Sequence, residues 1–250
     1  MRKLQWAYER LVPEFLKQLI DPVSTRTRRF VQQAATDAPT GALVLDAGAG
    51  ECHYRKYFPD QSYLALDSQR GDVTWDYSHI DILADLSSIP IRDASIHIVI
   101  CTQVLEHVED PKAVLQECSR ILKSDGRLYL TAPQGWGEHQ SPHDYFRFTS
   151  HALRHLCREA NLEVASLEPI CGYFCYLANR MTVFPKVLFW KIKRLWLRLL
   201  LLPLEIMSYL IFVILLPILL NAMDPLDRYR EYTLNYKLVA IRKRHFKEAD

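Results

Sequence analysis

Three carboxylates and two glycines carry the first chemical signal: Asp46, Gly48, Gly50, Asp67 and Asp85 each stand at or just past the end of a short apolar run. Leu43-Val44-Leu45 shows no polar alternation and is too short for a helix, so it reads as a strand covered on both faces. The run ends in Asp46-Ala47-Gly48-Ala49-Gly50, where glycines at i and i+2 let the backbone take positive φ and come close to a ligand. A dinucleotide fingerprint needs a third glycine three residues later, beneath a pyrophosphate, and this chain has His53 there. Asp46 points the same way, since a carboxylate at the strand tip repels a pyrophosphate and favours an ammonium group. Asp67 closes Tyr63-Leu64-Ala65-Leu66 and is either an acceptor for ribose hydroxyls or a turn or helix-capping residue. Asp85, in Ala84-Asp85-Leu86, closes a third such segment.

Imidazoles supply the second signal. His107 follows the apolar run Ile96–Cys101, inside Gln103-Val104-Leu105-Glu106-His107-Val108. His139 and His143 stand in the polar stretch from Gln134 to Thr149. All three are candidate general bases, because unperturbed imidazole titrates near pH 6.5. The bland alternative is that this stretch is structural, with Arg147 and Thr149 holding it to the next helix. The six cysteines form no Cys-x-x-Cys pair, and Cys171 and Cys175 have no nearby His or acidic cluster. No metal centre is therefore expected.

Positioning these groups requires a particular run of elements. Three- and four-residue apolar spacing predicts a helix over residues 3–20, Pro22 and Ser24 break it, and a second helix runs from Thr25 to Thr36. Short strands end at Asp46, Asp67 and Leu86, and the stretch from Gly71 to His79 reads as a loop on the rim of the site, containing Trp75. A fourth strand over Ile96–Cys101 precedes a helix bearing Val114, Leu115, Cys118, Ile121 and Leu122, with Gly126 as its cap. A fifth strand follows at Arg127–Pro133, then a helix at Ser150–Ala160, a sixth strand at Leu162–Leu167 and a last strand at Tyr232–Arg242.

The apolar strand with Asp-x-Gly-x-Gly, the acid-tipped second and third strands, and the segment from Gln103 to Asp110-Pro111 resemble the class I S-adenosylmethionine-dependent methyltransferases, in a methyltransferase type 11-like form. The resemblance implies an α/β, Rossmann-like doubly wound sheet of seven strands, order 3-2-1-4-5-7-6, with the last strand antiparallel. It further implies S-adenosyl-L-methionine as cofactor, held by Asp46, Gly48, Gly50, Asp67, Asp85, Leu86 and Gln103. Methylation of a small or lipid-linked acceptor is the implied activity.

After residue 170 the family pattern breaks, and about sixty residues intervene before the last strand. Ile206 to Met223 is an uncharged run of 18 residues, at the border of the roughly 20 a membrane-crossing helix needs. Lys186, Lys191, Lys193, Arg194 and Arg198 precede it, and Arg228 and Arg230 follow. Basic residues on both flanks argue that both ends stay cytoplasmic, and the last strand must return to the sheet. The reading is therefore a monotopic or re-entrant hairpin on the cytoplasmic side of the cell membrane, bent at Pro203 or Pro217. A helix pair buried in an oligomer is the alternative. The expected division is an N-terminal helix over 1–24 flanking the cleft, a methyltransferase domain over 25–170 and 229–243, and a hydrophobic insertion over 171–228.

Bulk properties bound the rest. With 250 residues, 49% of them hydrophobic, the chain can bury one α/β core and one added element. A net charge of +2 from 31 basic and 29 acidic residues gives no nucleic-acid bias; the hydrophobic insertion points to a lipid surface as a partner, and the resemblance implies a small-molecule or lipid-linked acceptor. The first six residues lack the apolar core of a signal peptide. Acceptors in order of preference are a lipid-linked glycan, a quinone and another membrane-embedded small molecule. Two other classes stay in view: a nucleotide-dependent oxidoreductase, and a non-catalytic membrane scaffold that keeps the fold.

Overall fold

The computed structural model describes residues 13–189 and 194–243. Its strands are β1 (Leu43–Ala47), β2 (Ser62–Asp67), β3 (Ile82–Leu83), β4 (Ile96–Thr102), β5 (Leu122–Pro133), β6 (Leu162–Pro169) and β7 (Asn235–Arg242). Its helices are α1 (Glu14–Ile20), α2 (Pro22–Asp37), α3 (Pro111–Ile121), α4 (Ser150–Glu159), α5 (Tyr173–Met181), α6 (Phe184–Phe189), α7 (Leu195–Tyr209) and α8 (Leu216–Met223). The expected helix over 3–20 is described only as α1, and Leu4, Ala7 and Leu11 lie outside the described residues.

The chain forms two compact units, one of residues 27–168 with the β7 segment, the other of 13–26 with 169–234. The first is built on a single sheet of order β3-β2-β1-β4-β5-β7-β6, as the sequence implied. β1 pairs in parallel with β2 and β4, β4 with β5, and β7 runs antiparallel to β5 from Pro133↔Asn235 to Arg127↔Ile241. Alternate side chains go to opposite faces of a strand, and the central strands carry apolar residues on both faces. Val44, Ile98 and Ile100 therefore meet Phe30, Val31 and Ala34 of α2 on one face. On the other, Leu45, Val99 and Leu130 pack with Val114, Leu115 and Cys118 of α3 and Leu153 and Cys157 of α4.

Local chemistry starts the helices where the sequence indicates. Asp110 accepts from the Ala113 N–H at 3.0 Å with Pro111 in the first turn of α3, and Thr149 accepts from the Ala152 N–H at 3.2 Å to cap α4. One expected cap is absent: α3 ends at Ile121 and Gly126 lies inside β5. A side chain there would meet the Ile96 and His97 carbonyls at 3.0 and 3.1 Å, so close approach of β4, not helix termination, selects glycine.

The chain leaves the sheet after β6 and returns in β7. The Lys243 N–H donates to the Asn161 carbonyl at 3.0 Å, which sets the end of β7 beside the start of β6. β6 therefore runs parallel to β5, and the intervening residues depart from and return to the carboxyl edge of the sheet.

Those residues make the second unit, a helical hairpin. α5 packs on α8, α8 on α1, and α6 beside α7, with the Phe184 and Phe212 rings 4.5 Å apart. Asp224 fastens the two ends of the hairpin together. Its Oδ1 accepts from the Gly172 and Cys175 N–H groups at 2.9 and 3.0 Å, and its Oδ2 from Arg26 at 3.0 Å. Neither proline bends the chain into a hairpin, since both lie within helical residues. Pro203 sits inside α7, and Pro217 lies in the first turn of α8 behind a π-helical stretch, Leu210–Leu215. The wider turn removes the need for the N–H that Pro217 lacks, so the helix continues.

Candidate active site

The carboxyl ends of β1, β2 and β4 surround the point where strand order reverses, the usual crevice for a ligand in an open α/β sheet. A cleft of about 790 Å³ lies there, wholly within the sheet unit. Gly48, Gly50, Asp67, Asp85, Leu86, Gln103, His107, His139 and His143 all line it. Of the candidate residues only Asp46 does not.

Both glycines are required by geometry. Gly48 has φ +86°, and a Cβ on it would lie 2.5 Å from Val104 Cγ2. Gly50 has φ +50° and faces the Trp75 ring, which a Cβ would meet at 3.2 Å. The loop over 71–79 thus sends Trp75 onto the glycine turn and into the cleft wall. The turn is sewn to β2: Gly48 and Ala49 donate to the Leu66 carbonyl at 2.8 and 3.0 Å, and Gly50 donates to Asp67 Oδ2 at 2.9 Å. These three N–H groups are thereby spent. A pyrophosphate would need them, so the turn is built for a ligand that approaches by shape and as a donor, not as an anion.

Each acid has a distinct setting. Asp46 is 1% exposed beneath the turn and accepts from the Tyr63 hydroxyl. Burial pushes its carboxyl up to about 7, against the lowering effect of that hydrogen bond. Asp67 Oδ1 takes the Gln69 N–H at 2.6 Å, which leaves one lone-pair direction on each oxygen for a ligand. Asp85 accepts from the Ser87 N–H and hydroxyl at 2.9 and 2.8 Å, and these bonds hold it below the ordinary carboxylate range. Gln103 takes φ +55° and donates to Thr131 Oγ1 at 3.1 Å, fixing the chain as it leaves β4.

The imidazoles form the opposite wall. His107 Nδ1 lies 2.6 Å from the His143 carbonyl, which can only accept, so Nδ1 carries the proton and Nε2 keeps a lone pair. Burial pushes its pKa down, favouring the neutral ring. His139 stacks edge-on to it with centroids 4.8 Å apart, and His143 Nδ1 is 3.0 Å from the Tyr145 hydroxyl. Arg147 braces this loop: it donates to the Trp136 and Gly137 carbonyls at 2.9 and 2.8 Å and to both Asp144 oxygens. Asp144 in turn accepts from the His139 N–H at 2.8 Å. Arg147 and Thr149 thus hold the loop to the fold, and the three histidines project from it or meet it.

The loop from Gly71 to His79 brings Trp75 to the cleft, as its reading as a rim loop allows. Two residues of the site carry no sequence signal of a role: Tyr145, which lies in a loop, and Glu106, fully buried beside His107.

Residues 45–130 match the family model of a methyltransferase domain. A Mycobacterium tuberculosis protein named as a probable S-adenosylmethionine-dependent methyltransferase is 29% identical over 114 residues, 43% of this chain and 42% of that one. A ubiquinone biosynthesis O-methyltransferase of Neisseria meningitidis is 30% identical over 112 residues, 38% of this chain and 45% of that one. The chain spans less than half the length of these relatives. The solved [4+2]-cyclase SpnF superposes with a TM-score of 0.53 at 14% identity, over 86% of this chain and 81% of that one, a likeness of fold alone. With the Asp-x-Gly-x-Gly turn, the strand order and these matches in hand, residues 45–130 form a methyltransferase domain similar to those of S-adenosylmethionine-dependent methyltransferases.

Proposed function

We propose that the protein methylates an acceptor at a membrane surface, with a lipid-linked glycan, a quinone or another bilayer-embedded small molecule as the substrate class. S-adenosylmethionine, when bound, supplies an electrophilic methyl group. The chain's own residues do the rest. Gly48 and Gly50 give it a cradle that a Cβ would fill, Asp67 would offer acceptors to ribose hydroxyls, and Asp85 and Leu86, which line the same cleft, would take the adenine. Gln103 supports the floor of the same cleft. Much of the acceleration in such a transfer comes from holding the reacting atoms in attack geometry. His107, with a free Nε2 lone pair, is the base best prepared to take a hydroxyl proton, and His139 and His143 stand beside it.

The observation that supports the membrane half is the hairpin. Leu199–Leu226 is one helical run of 28 residues whose most apolar 18-residue window is only 6% buried, and Leu199, Leu200, Ile206, Leu215 and Leu219 are exposed. Asp224 ties the start of α5 to the end of α8, so the hairpin leaves and returns at one point. That favours docking on one leaflet over a single crossing. The basic flanks that contribute are Lys186, Arg194, Arg228 and Arg230, while Lys191 and Lys193 lie outside the described residues. Liposome flotation tests this. The full chain should float with anionic vesicles, and a cysteine added at the C-terminus should react only from the side on which the protein was added. Labelling from the far side, or a soluble chain that ignores vesicles, removes the docking reading.

A further inference from the structure

We propose that Glu106, His107 and His139 bind a divalent first-row transition ion on the histidine wall of the cleft. One donor atom from each of these residues lies within 4.8 Å of the others. Glu106 supplies a second and independent observation. It is 0% exposed, neither carboxyl oxygen has a hydrogen-bond partner, and Oε1 points at His107 Nε2 from 3.9 Å. Buried polar atoms are almost always paired, and two orphaned oxygens on one carboxyl group call for a partner. A cation held jointly with the neighbouring imidazole nitrogens satisfies both.

The surroundings of the two rings match what a metal requires. Ligating histidines donate their remaining ring N–H to a carbonyl or carboxylate, which fixes the tautomer. His107 Nδ1 does so to the His143 carbonyl at 2.6 Å. His139 Nδ1 lies 3.1 Å from the Gly137 carbonyl and 3.5 Å from Asp144 Oδ2, and Arg147 holds both of those acceptors in place. Nε2 is then the metal-facing atom of each ring, so with the ion bound His107 acts as a ligand and no longer as a base. Metal–ligand bonds of about 2.0–2.2 Å put ligand atoms closer together than they stand here, so the site closes on binding. His139, the exposed member of the three with a side chain 39% accessible, supplies the movement.

Ligand type selects the ion. Two imidazoles with one carboxylate suit zinc, iron(II) or manganese(II), whereas magnesium and calcium prefer oxygen throughout. Three protein ligands leave a position open, and His107 and His139 both face the cleft. An acceptor hydroxyl bound there would release its proton to solvent more readily and be oriented as well. This acceptor role rests on the methyl-transfer reading; the metal site itself does not. A Cys-based search of the sequence could not find it, because the ligands come from two segments about thirty residues apart and include no cysteine.

The test uses the full chain, detergent-solubilised and stripped with chelator, titrated separately with Zn²⁺, Co²⁺ and Mg²⁺ by calorimetry and, for Co²⁺, visible absorption. One equivalent of Zn²⁺ should bind, Co²⁺ should give the d–d bands of a site with fewer than six ligands, and Mg²⁺ should give no saturable heat. His139→Ala, at an exposed side chain, and the isosteric Glu106→Gln should each weaken Zn²⁺ at least tenfold, while the surface control His155→Ala should not. Absence of saturable Zn²⁺ binding, or full affinity in both variants, overturns the proposal, and Glu106 is then simply protonated. S-adenosylmethionine is titrated in parallel. Cofactor binding without metal binding rejects this site alone, and metal binding without cofactor binding rejects the methyl-transfer reading instead.

Discussion

The sheet unit and the helical hairpin are both rich in leucine and isoleucine, the hairpin more so, and treat them oppositely. In the sheet unit the apolar side chains are enclosed: Leu45, Ile100, Leu115 and Leu130 are wholly buried. In the hairpin Val187 is 72% and Leu200 68% exposed, and Trp196, Leu199, Ile206 and Leu219 are similarly open. Each buried side chain of this size is worth about 1.5–3 kcal/mol, so the first unit is stabilised by its own interior and the second leaves a comparable reservoir unused. A patch of this extent marks an interaction surface. The difference teaches that the two units place their apolar side chains oppositely, and that the hairpin's internal hydrogen bonds, centred on Asp224, fix its shape without covering it.

The largest expected effect breaks the comparison on the hairpin side. Replacing Leu200, Ile206 and Leu215 together by Glu removes apolar surface worth about 1.5–3 kcal/mol per residue. Vesicle binding should fall at least a hundredfold, with S-adenosylmethionine affinity unchanged. Loss of both together would show that the exposed face supports the fold. The next breaks the sheet side. Gly48→Val should reduce cofactor affinity more than a hundredfold and lower the melting temperature, because its Cβ would lie 2.5 Å from Val104 Cγ2 at φ +86°. Gly41→Ala is the control, with a similar strain at φ +73° but no atom within 4 Å of the new Cβ. It should cost stability and leave affinity alone.

A smaller effect is expected of Asp67→Ala. It removes the acceptor of the Gly50 N–H and one for the ligand, and should weaken cofactor binding by about 1.5–3 kcal/mol, the range for hydrogen bonds to charged groups. Unchanged affinity by calorimetry would take Asp67 out of the site.

The smallest is a pH dependence. Asp46 has an ordinary value of 3.8 and, through burial, about 7 in the folded chain. Between those limits the folded state keeps a proton that the unfolded state has released, so this group's contribution to stability is complete below about pH 4 and is lost as pH rises to about 7. Asp46→Asn keeps an acceptor for Tyr63 and removes the charge. Urea midpoints at pH 5 and pH 8 should lie closer together in the variant than in the parent chain, and an undiminished gap would assign the dependence elsewhere.

The strands, two helix starts and the cleft were legible in the sequence because each rests on local rules, whereas the strand order came with the family resemblance. Apolar runs mark buried parallel strands, and their last residues must gather at one edge. Asp110 and Thr149 announce their helices for the same reason. What was illegible depends on distant partners. Gly126 reads as a helix cap until β4 is seen beside it, and Pro217 as a bend until a π turn absorbs its missing N–H. Asp46 reads as a ligand contact, but Tyr63, 17 positions later, claims its carboxyl beneath the turn. Tyr145 reaches the cleft from a loop whose sequence gives no direction.

The central claim is that the Asp-x-Gly-x-Gly cleft takes S-adenosylmethionine. Calorimetric titration of the detergent-solubilised full chain tests it most directly, with NADH titrated alongside. The account requires saturable one-to-one binding of S-adenosylmethionine and of its demethylated product, with no heat from NADH. Saturable NADH binding with none for S-adenosylmethionine would contradict it.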